Sequence, residues 1–201
     1  GTLLISALGL VPDLRQAVDS AGMQLGDDLW LVGANEGALG GSLASDLFDL
    51  GATRVPTPLD DPLPRYRAIH AAICDGKVTA AHDCSEGGLA VAVSEMAIAA
   101  RLGVSVVVPP DGLDPFTALV NEAPGRLVLS AAPEHRDAVG AFLGDHGRRI
   151  GEVTAGDDIV FHLLDPAEGD DSRLTPIRIP LADAISASTH GSPEPTKGAT
   201  P

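Results

Sequence analysis

The sequence predicts an α/β (α+β) fold, a mixed β-sheet covered by helices. Three observations carry that prediction. Short β-branched or apolar runs alternate with longer segments of helical spacing. Glycine or proline stands at nearly every junction between them. In places two strand patterns follow one another directly, which an all-parallel sheet does not allow, because parallel neighbours need a long crossover. With 201 residues, 44% of them hydrophobic, the chain can bury one sizeable core. Ala, Leu, Val and Ile fill that core, since there are only one Trp, one Tyr and four Phe.

Each element follows from its own stretch of sequence. Leu3 to Leu8 is apolar, ends at Gly9 and reads as a strand; Leu29-Trp30-Leu31-Val32, closed by Gly33, reads as a buried one. Leu43 to Leu50 has helical spacing, with Ser42 as cap and Gly51 as stop. Four prolines between Val55 and Pro64 make that stretch a loop. Arg65 to Asp75 is a helix with Tyr66, Ile69, Ala72 and Ile73 on one face, and Lys77 to Ala81 a strand. A turn over His82 to Gly88 leads into a helix from Leu89 to Leu102, apolar almost all round and hence buried. Glu95 inside it calls for a polar partner. Val104 to Val108 is a strand, Phe116 to Val120 a short helix, Arg126 to Ser130 a strand and Pro133 to His146 a helix. Strands over Arg149 to Val153 and Ile159 to Leu164 complete the sheet. From Ser186 onward Ser, Thr, Gly and Pro dominate without apolar periodicity, so residues 186–201 read as a disordered tail.

Charge narrows the function classes. Lys and Arg total 13 against 28 Asp and Glu, a formal net charge of −15. A chain this acidic repels nucleic-acid backbones and anionic membrane surfaces, so neither is expected as a partner. No apolar run reaches the roughly 18 residues of a membrane span. Two cysteines, Cys74 and Cys84, make neither a disulfide framework nor a zinc site, and a reducing, cytoplasmic setting is expected. The chain opens on Gly1 and runs at once into apolar residues, the pattern of a piece cut from a longer polypeptide.

The segment richest in chemistry is His82-Asp83-Cys84-Ser85-Glu86-Gly87-Gly88, between a strand and a helix. Two readings of it stand. In one, the turn aims the backbone N–H groups of Gly87 and Gly88 and the Ser85 hydroxyl at a phosphate, with His82 and Asp83 at the strand end where open α/β sheets hold ligands. In the other, Asp83 or Ser85 caps the helix and the glycines let it pack tightly. Asp83 and Glu86 would repel a phosphate unless a metal ion intervenes or they point elsewhere.

The same residues carry a resemblance. His82-Asp83-Cys84-Ser85-Glu86-Gly87-Gly88-Leu89, followed by Ser94-Glu95-Met96, resembles a His-Asp-Val-Ser-Asp/Glu-Gly-Gly-Leu segment of the phosphoribosylformylglycinamidine synthase family, within the aminoimidazole ribonucleotide synthetase superfamily. Leu39-Gly40-Gly41-Ser42, Asn121-Glu122-Ala123-Pro124-Gly125-Arg126 and Ile150-Gly151-Glu152-Val153 are similar to further family segments, in order. Cys84 stands where the family usually has valine, and the tail after Ile185 lacks an expected final amphipathic helix.

The resemblance implies a division of the chain and an activity. Residues 1–24 would be the last strand and connector of a preceding amino-terminal-type domain, and residues 25–185 the carboxyl-terminal-type synthetase domain. The complete enzyme would use ATP and Mg²⁺, bound mostly by segments outside this chain, to amidate formylglycinamide ribonucleotide with ammonia from a glutaminase partner. This chain would contribute a wall of a substrate site through Ser85, Gly87, Gly88, His82 and Asp83. It would carry no catalytic residue and no metal ligand, and it would be inactive alone. Alternatives under the same resemblance are a structural module of that enzyme, or a selenophosphate synthetase, thiamine-monophosphate kinase or hydrogenase-maturation relative.

Overall fold

The structure, a computed structural model, describes residues 4–164 and 176–190. Among them, seven strands form one sheet in the order β2-β4-β1-β5-β3-β6-β7. The strands are β1 Asp28–Val32, β2 Ala80–Asp83, β3 Gly103–Val107, β4 Leu127–Ala131, β5 Gly147–Thr154, β6 Asp158–His162 and β7 Ile177–Pro180. Only β3 and β6 pair in parallel; the other five pairings are antiparallel, so the sheet is mixed as the sequence predicts. The helices are α1 Leu43–Leu47, α2 Leu63–Cys74, α3 Gly88–Ala100, α4 Pro115–Val120, α5 Arg136–Leu143 and α6 Leu181–His190.

Both faces of the sheet are covered. On one face Leu29, Leu31, Val104, Val128, Ile159 and Phe161 pack with Leu89, Val93 and Met96 of α3 and Ala118 and Leu119 of α4. On the other Trp30, Val32, Leu129 and Ala131 meet Ile69 and Ala72 of α2 and Val139 and Leu143 of α5. Alternate residues of β1 therefore enter opposite cores, which is why all five of its residues are buried and its sequence is a continuous apolar run. Asp28, which opens β1, is held by Arg136 (Nε to Oδ2, 2.7 Å) and Arg149 (Nε to Oδ1, 2.5 Å). Burial by itself would raise the Asp28 pKa, but these two guanidinium groups outweigh it and hold the carboxyl below its ordinary range.

Helix ends follow local chemistry. Ser42 caps α1 by accepting from Ser45 N–H at 3.1 Å, as the sequence predicts. Asp114 caps α4 from the Thr117 N–H at 3.0 Å, ahead of Pro115 in the first turn.

Four expectations are corrected. Residues 4–8 form no strand: Leu4, Ile5 and Leu8 are exposed and no described strand pairs with them. The β2 ladder starts at Ala80, opposite Ser130, rather than at Lys77, because Lys77 N–H is spent closing α2 on the Ala72 carbonyl. His82 and Asp83 consequently end the strand instead of opening the turn. The helix expected over 133–146 is shorter, with 3₁₀ turns at Pro133–His135 and Gly144–His146 flanking α5. The boundary at residue 185 falls inside α6, whose Leu181, Ala184 and Ile185 pack on the core. Ser188 satisfies its hydroxyl on the Ile185 carbonyl, so a serine- and threonine-rich stretch still makes a helix here. Residues 191–201 of the expected tail lie outside the described residues.

Candidate functional site

Strands β1 and β2 both run antiparallel to β4, so the carboxyl ends of β1 and β2 and the amino end of β4 share one end of the sheet. Three loops converge there: Gly33–Glu36 after β1, Cys84–Gly87 after β2, and Asn121–Arg126 before β4. Between them lie two clefts. One, of ≈ 480 Å³, is lined by Asp83, Ser85, Glu122, Pro124, Arg126 and Tyr66 among others. The other, of ≈ 330 Å³, is lined by Asn35, Glu36, Thr57, Asp60 and Arg65, and the two share Ala123 and Pro124.

The candidate residues divide within this frame. Asp83 and Ser85 are exposed and line the larger cleft. His82 stands behind it. Its Nε2 lies 2.9 Å from Glu95 Oε2 and its Nδ1 2.8 Å from the Asp83 carbonyl, so Glu95 has the partner its position called for. The bond ties the second turn of α3 to the end of β2. Cys84 is buried, and burial pushes its thiol pKa up to about 11, leaving it a packing residue.

Gly87 and Gly88 are buried and do not line either cleft. Their N–H groups, expected to face a phosphate, have partners within the chain: Gly87 N–H donates to Glu122 Oε1 at 2.8 Å and Gly88 N–H to the Ser85 carbonyl at 3.0 Å. Their lack of side chains is required for packing. Both have positive φ, +79° and +64°; a Cβ on Gly87 would come 2.2 Å from Val91 Cγ2, and one on Gly88 would come 2.4 Å from the Asn121 carbonyl oxygen. The packing reading therefore accounts for both glycines as they stand.

The polar centre of the site is the segment Asn121–Arg126, which carries part of the family resemblance but none of the expected site residues. Asn121 is fully buried and saturated: Oδ1 accepts from Arg126 Nη1 (3.0 Å) and Glu36 N–H (3.3 Å), while Nδ2 donates to the Thr117 and Ala118 carbonyls (3.0 Å each) and to Asn35 Oδ1 (3.2 Å). Arg126, 1% exposed, also donates to the Asn121 carbonyl at 2.7 Å, and burial lowers its pKa. Glu122 reaches Leu43 N–H as well as Gly87 N–H, both at 2.8 Å, joining the first residue of α1 to the N-cap of α3. Glu36 accepts from Thr57 N–H and Oγ1 and from Arg54, contacts that hold its carboxyl below its ordinary pKa. The three loops are thus tied to one another by part-buried hydrogen bonds. Among the described residues no three His, Cys, Asp or Glu side chains converge as a metal site, and no helix is long and apolar enough to cross a membrane.

Fold and site together define a mixed-sheet α/β domain with a ligand-sized cleft at the carboxyl ends of two strands. The chain belongs to the family described as AIR synthase related protein, C-terminal domain, whose model matches residues 24–163. It is 39% identical over 156 residues to the phosphoribosylformylglycinamidine synthase subunit PurL of Moorella thermoacetica, covering 76% of this chain and 21% of that protein. The chain thus spans about a fifth of the length of that relative. In fold it is similar to T. maritima PurL complexed with FGAR (TM-score 0.67, 21% identity, 86% of this chain and 30% of that one). It is similar also to T. maritima PurL complexed with ATP (TM-score 0.64, 18% identity, 86% of this chain and 28% of that one).

Proposed function

We propose that this chain is the carboxyl-terminal portion of a phosphoribosylformylglycinamidine synthase. The reaction is the ATP-dependent amidation of formylglycinamide ribonucleotide to the amidine, with release of ADP and phosphate. The observation that supports the proposal is that two of the segments carrying the family resemblance line one cleft, with Ser85 and Asp83 on one wall and Glu122 to Arg126 on the other. A bond to the substrate from the Ser85 hydroxyl orients it, and the Asn121 and Glu122 bonds keep the turn in place, so the contribution is positional and electrostatic. His82 and Asp83 support that wall from the end of β2, while Gly87 and Gly88 give it shape through close packing. ATP and Mg²⁺ belong to the complete enzyme, where they activate the amide oxygen. On the family resemblance, their binding falls mostly to amino-terminal-type domains outside this chain. Those domains and a glutaminase that supplies ammonia are the proposed partners, in the cytoplasm.

The test is made in a complete synthase containing this domain. Ser85→Ala removes one neutral hydrogen bond, which sets the expected rise in KM for the ribonucleotide at about three- to tenfold with kcat retained. Wild-type KM in a normally folded variant would overturn the assignment of the Ser85 wall to the substrate.

A further inference from the structure

Positive charge gathers around Gly33, in a chain whose net charge is −15. Arg65 reaches in from α2, its Nη1 donating to the Gly125 carbonyl at 2.9 Å. A Cβ on Gly33 would stand 2.9 Å from Arg126 Cγ and 3.2 Å from Arg65 Nη1, so both side chains press on bare backbone there. Arg148 of β5 is the third. Among the described residues one carboxylate, Asp111, is bonded to these three guanidinium groups, and it is committed to Arg148 (Nη1 to Oδ1, 2.7 Å). Arg65 has no acidic partner among them. A guanidinium keeps its charge in a protein, so that of Arg65 is left for solvent or a ligand to answer.

A cleft opens on this group. Its volume is ≈ 170 Å³, and Gly33, Ala34, Arg65, His146 and Arg148 line it with Asp145, the one acid of its wall. It shares no lining residue with the cleft of Ser85. Arg65 Nε is shut off from solvent, whereas Nη2 makes no hydrogen bond among the described residues and stays open to it. His146 accepts the Gly33 N–H on its main-chain carbonyl at 2.8 Å, while its ring makes no hydrogen bond or ion pair among the described residues. Arg126 lies off the wall and adds charge there but no donor. Asp145 is exposed, so solvent screens it more than it screens half-buried Arg65. The volume is well below the roughly 300–1,000 Å³ that drug-sized ligands occupy, and it suits a single small anionic group.

We propose that this cleft is a phosphate-binding site, separate from the Ser85 cleft, in which Arg65 Nη2 and a ring N–H of His146 donate to the oxygens of one phosphate group. Arg148, held in place by Asp111, adds positive charge to the same wall. The fork of Arg65 suits a phosphate, since Nη1 stays on the Gly125 carbonyl and fixes the direction in which Nη2 is offered. The same chemistry serves free phosphate and the phosphate arm of a sugar phosphate whose remainder lies outside the cleft. The inference stands apart from the reading of the Ser85 wall, with which it shares no residue.

The experiment titrates inorganic phosphate and, separately, ribose 5-phosphate into the 201-residue chain at fixed pH and ionic strength, following the ring resonances of His146. His70, exposed on α2 and outside the cleft, is the internal control. Arg65→Gln and Arg67→Gln remove the same charge from the same helix, and Arg67 is exposed and lines none of the clefts described. Loss of one charge-assisted hydrogen bond should weaken binding about tenfold or more in Arg65→Gln, while Arg67→Gln stays within about twofold of wild type. Equal affinity for the two probes assigns the site to the free ion and tighter binding of ribose 5-phosphate to the phosphate arm; both support the proposal. No saturable binding of either probe, or equal weakening in the two variants, would overturn it. If Arg65→Gln does not fold, wild type decides: saturation must move the His146 ring resonances and leave those of His70 in place, and any other pattern refutes the site.

Discussion

Replacing Gly88 by alanine tests how tightly the turn after β2 is locked to α4. The residue has φ +64°, and an added Cβ would stand 2.4 Å from the Asn121 carbonyl oxygen and 2.7 Å from the Val120 carbonyl carbon. Those are backbone atoms, held in place by Arg126 on the Asn121 carbonyl, so they cannot rotate away as a side chain would. The left-handed conformation alone costs about 1–2 kcal/mol for a residue with a Cβ. Forcing apart well-packed neighbours adds about 1–3 kcal/mol. The sum, about 2–5 kcal/mol, corresponds to a fall in Tm of roughly 4–20 °C for a domain of this size. Gly76 is the matched control: its φ is +67° and no atom lies within 4 Å of an added Cβ. Gly76→Ala should therefore show the conformational cost alone. Urea unfolding of both variants, at unchanged m, separates the two contributions. A Gly88→Ala protein no less stable than Gly76→Ala would refute the close-approach argument and leave only backbone strain at this turn.

Two further outcomes follow from buried groups. Asp28 has its folded pKa below the unfolded value of about 3.9. Its contribution to stability is therefore present above the unfolded pKa and is lost as pH falls through the folded one. Asp28→Asn should lower stability at pH 7 by about 1–3 kcal/mol, discounted because Arg136 and Arg149 are substantially exposed. It should also remove part of the acid-side slope; an unchanged slope in pH-dependent unfolding would count against the ion-pair account. For the thiols, Cys74 is exposed while Cys84 is buried with its pKa pushed up to about 11. An alkylating reagent at neutral pH should label one thiol per native chain and two after denaturation, with mass spectrometry placing the first at Cys74.

How much of this was legible beforehand depended on the sequence distance of the partners. Strand β1 is visible in the sequence because burial on both faces makes every residue of Leu29-Trp30-Leu31-Val32 apolar. Helix α3 is visible as an almost unbroken run of Leu, Ala, Val, Met and Ile, although only one side of it enters the core and Glu95 and Ala99 are exposed. Strand β7 and helix α6 were not: β7 is four residues long and mostly exposed, and the apolar residues of α6 are few. The turn over 82–88 is legible as chemically loaded, yet the acceptor of its Gly87 N–H is not, since Glu122 lies 35 residues further on. No local pattern records a contact of that range. The segment Asn121 to Arg126 was noticed as a family resemblance, and buried Asn121 and Arg126 gave no hint of their role because exposure is what their composition suggests. The sequence leaves Glu95 without an evident partner, and His82, 13 residues earlier, supplies one across the β2–α3 turn.

The position of β1 has a consequence for how the chain comes off the ribosome. It lies between β4 and β5, with Asp28 opposite Ala131 on one side and Glu152 on the other. The most apolar strand is therefore made first, and its nearest partner emerges about a hundred residues later. At typical elongation rates of about 5–20 residues per second, that is an interval of roughly 5–20 s. During this time Leu29, Trp30, Leu31 and Val32 have neither neighbour and neither helical layer is complete. Closing so long a loop is slow in itself. Synthesis of this domain thus passes through a window in which a sticky strand awaits its place, and trigger-type chaperones or a slowed ribosome would be felt there before anywhere else in the fold.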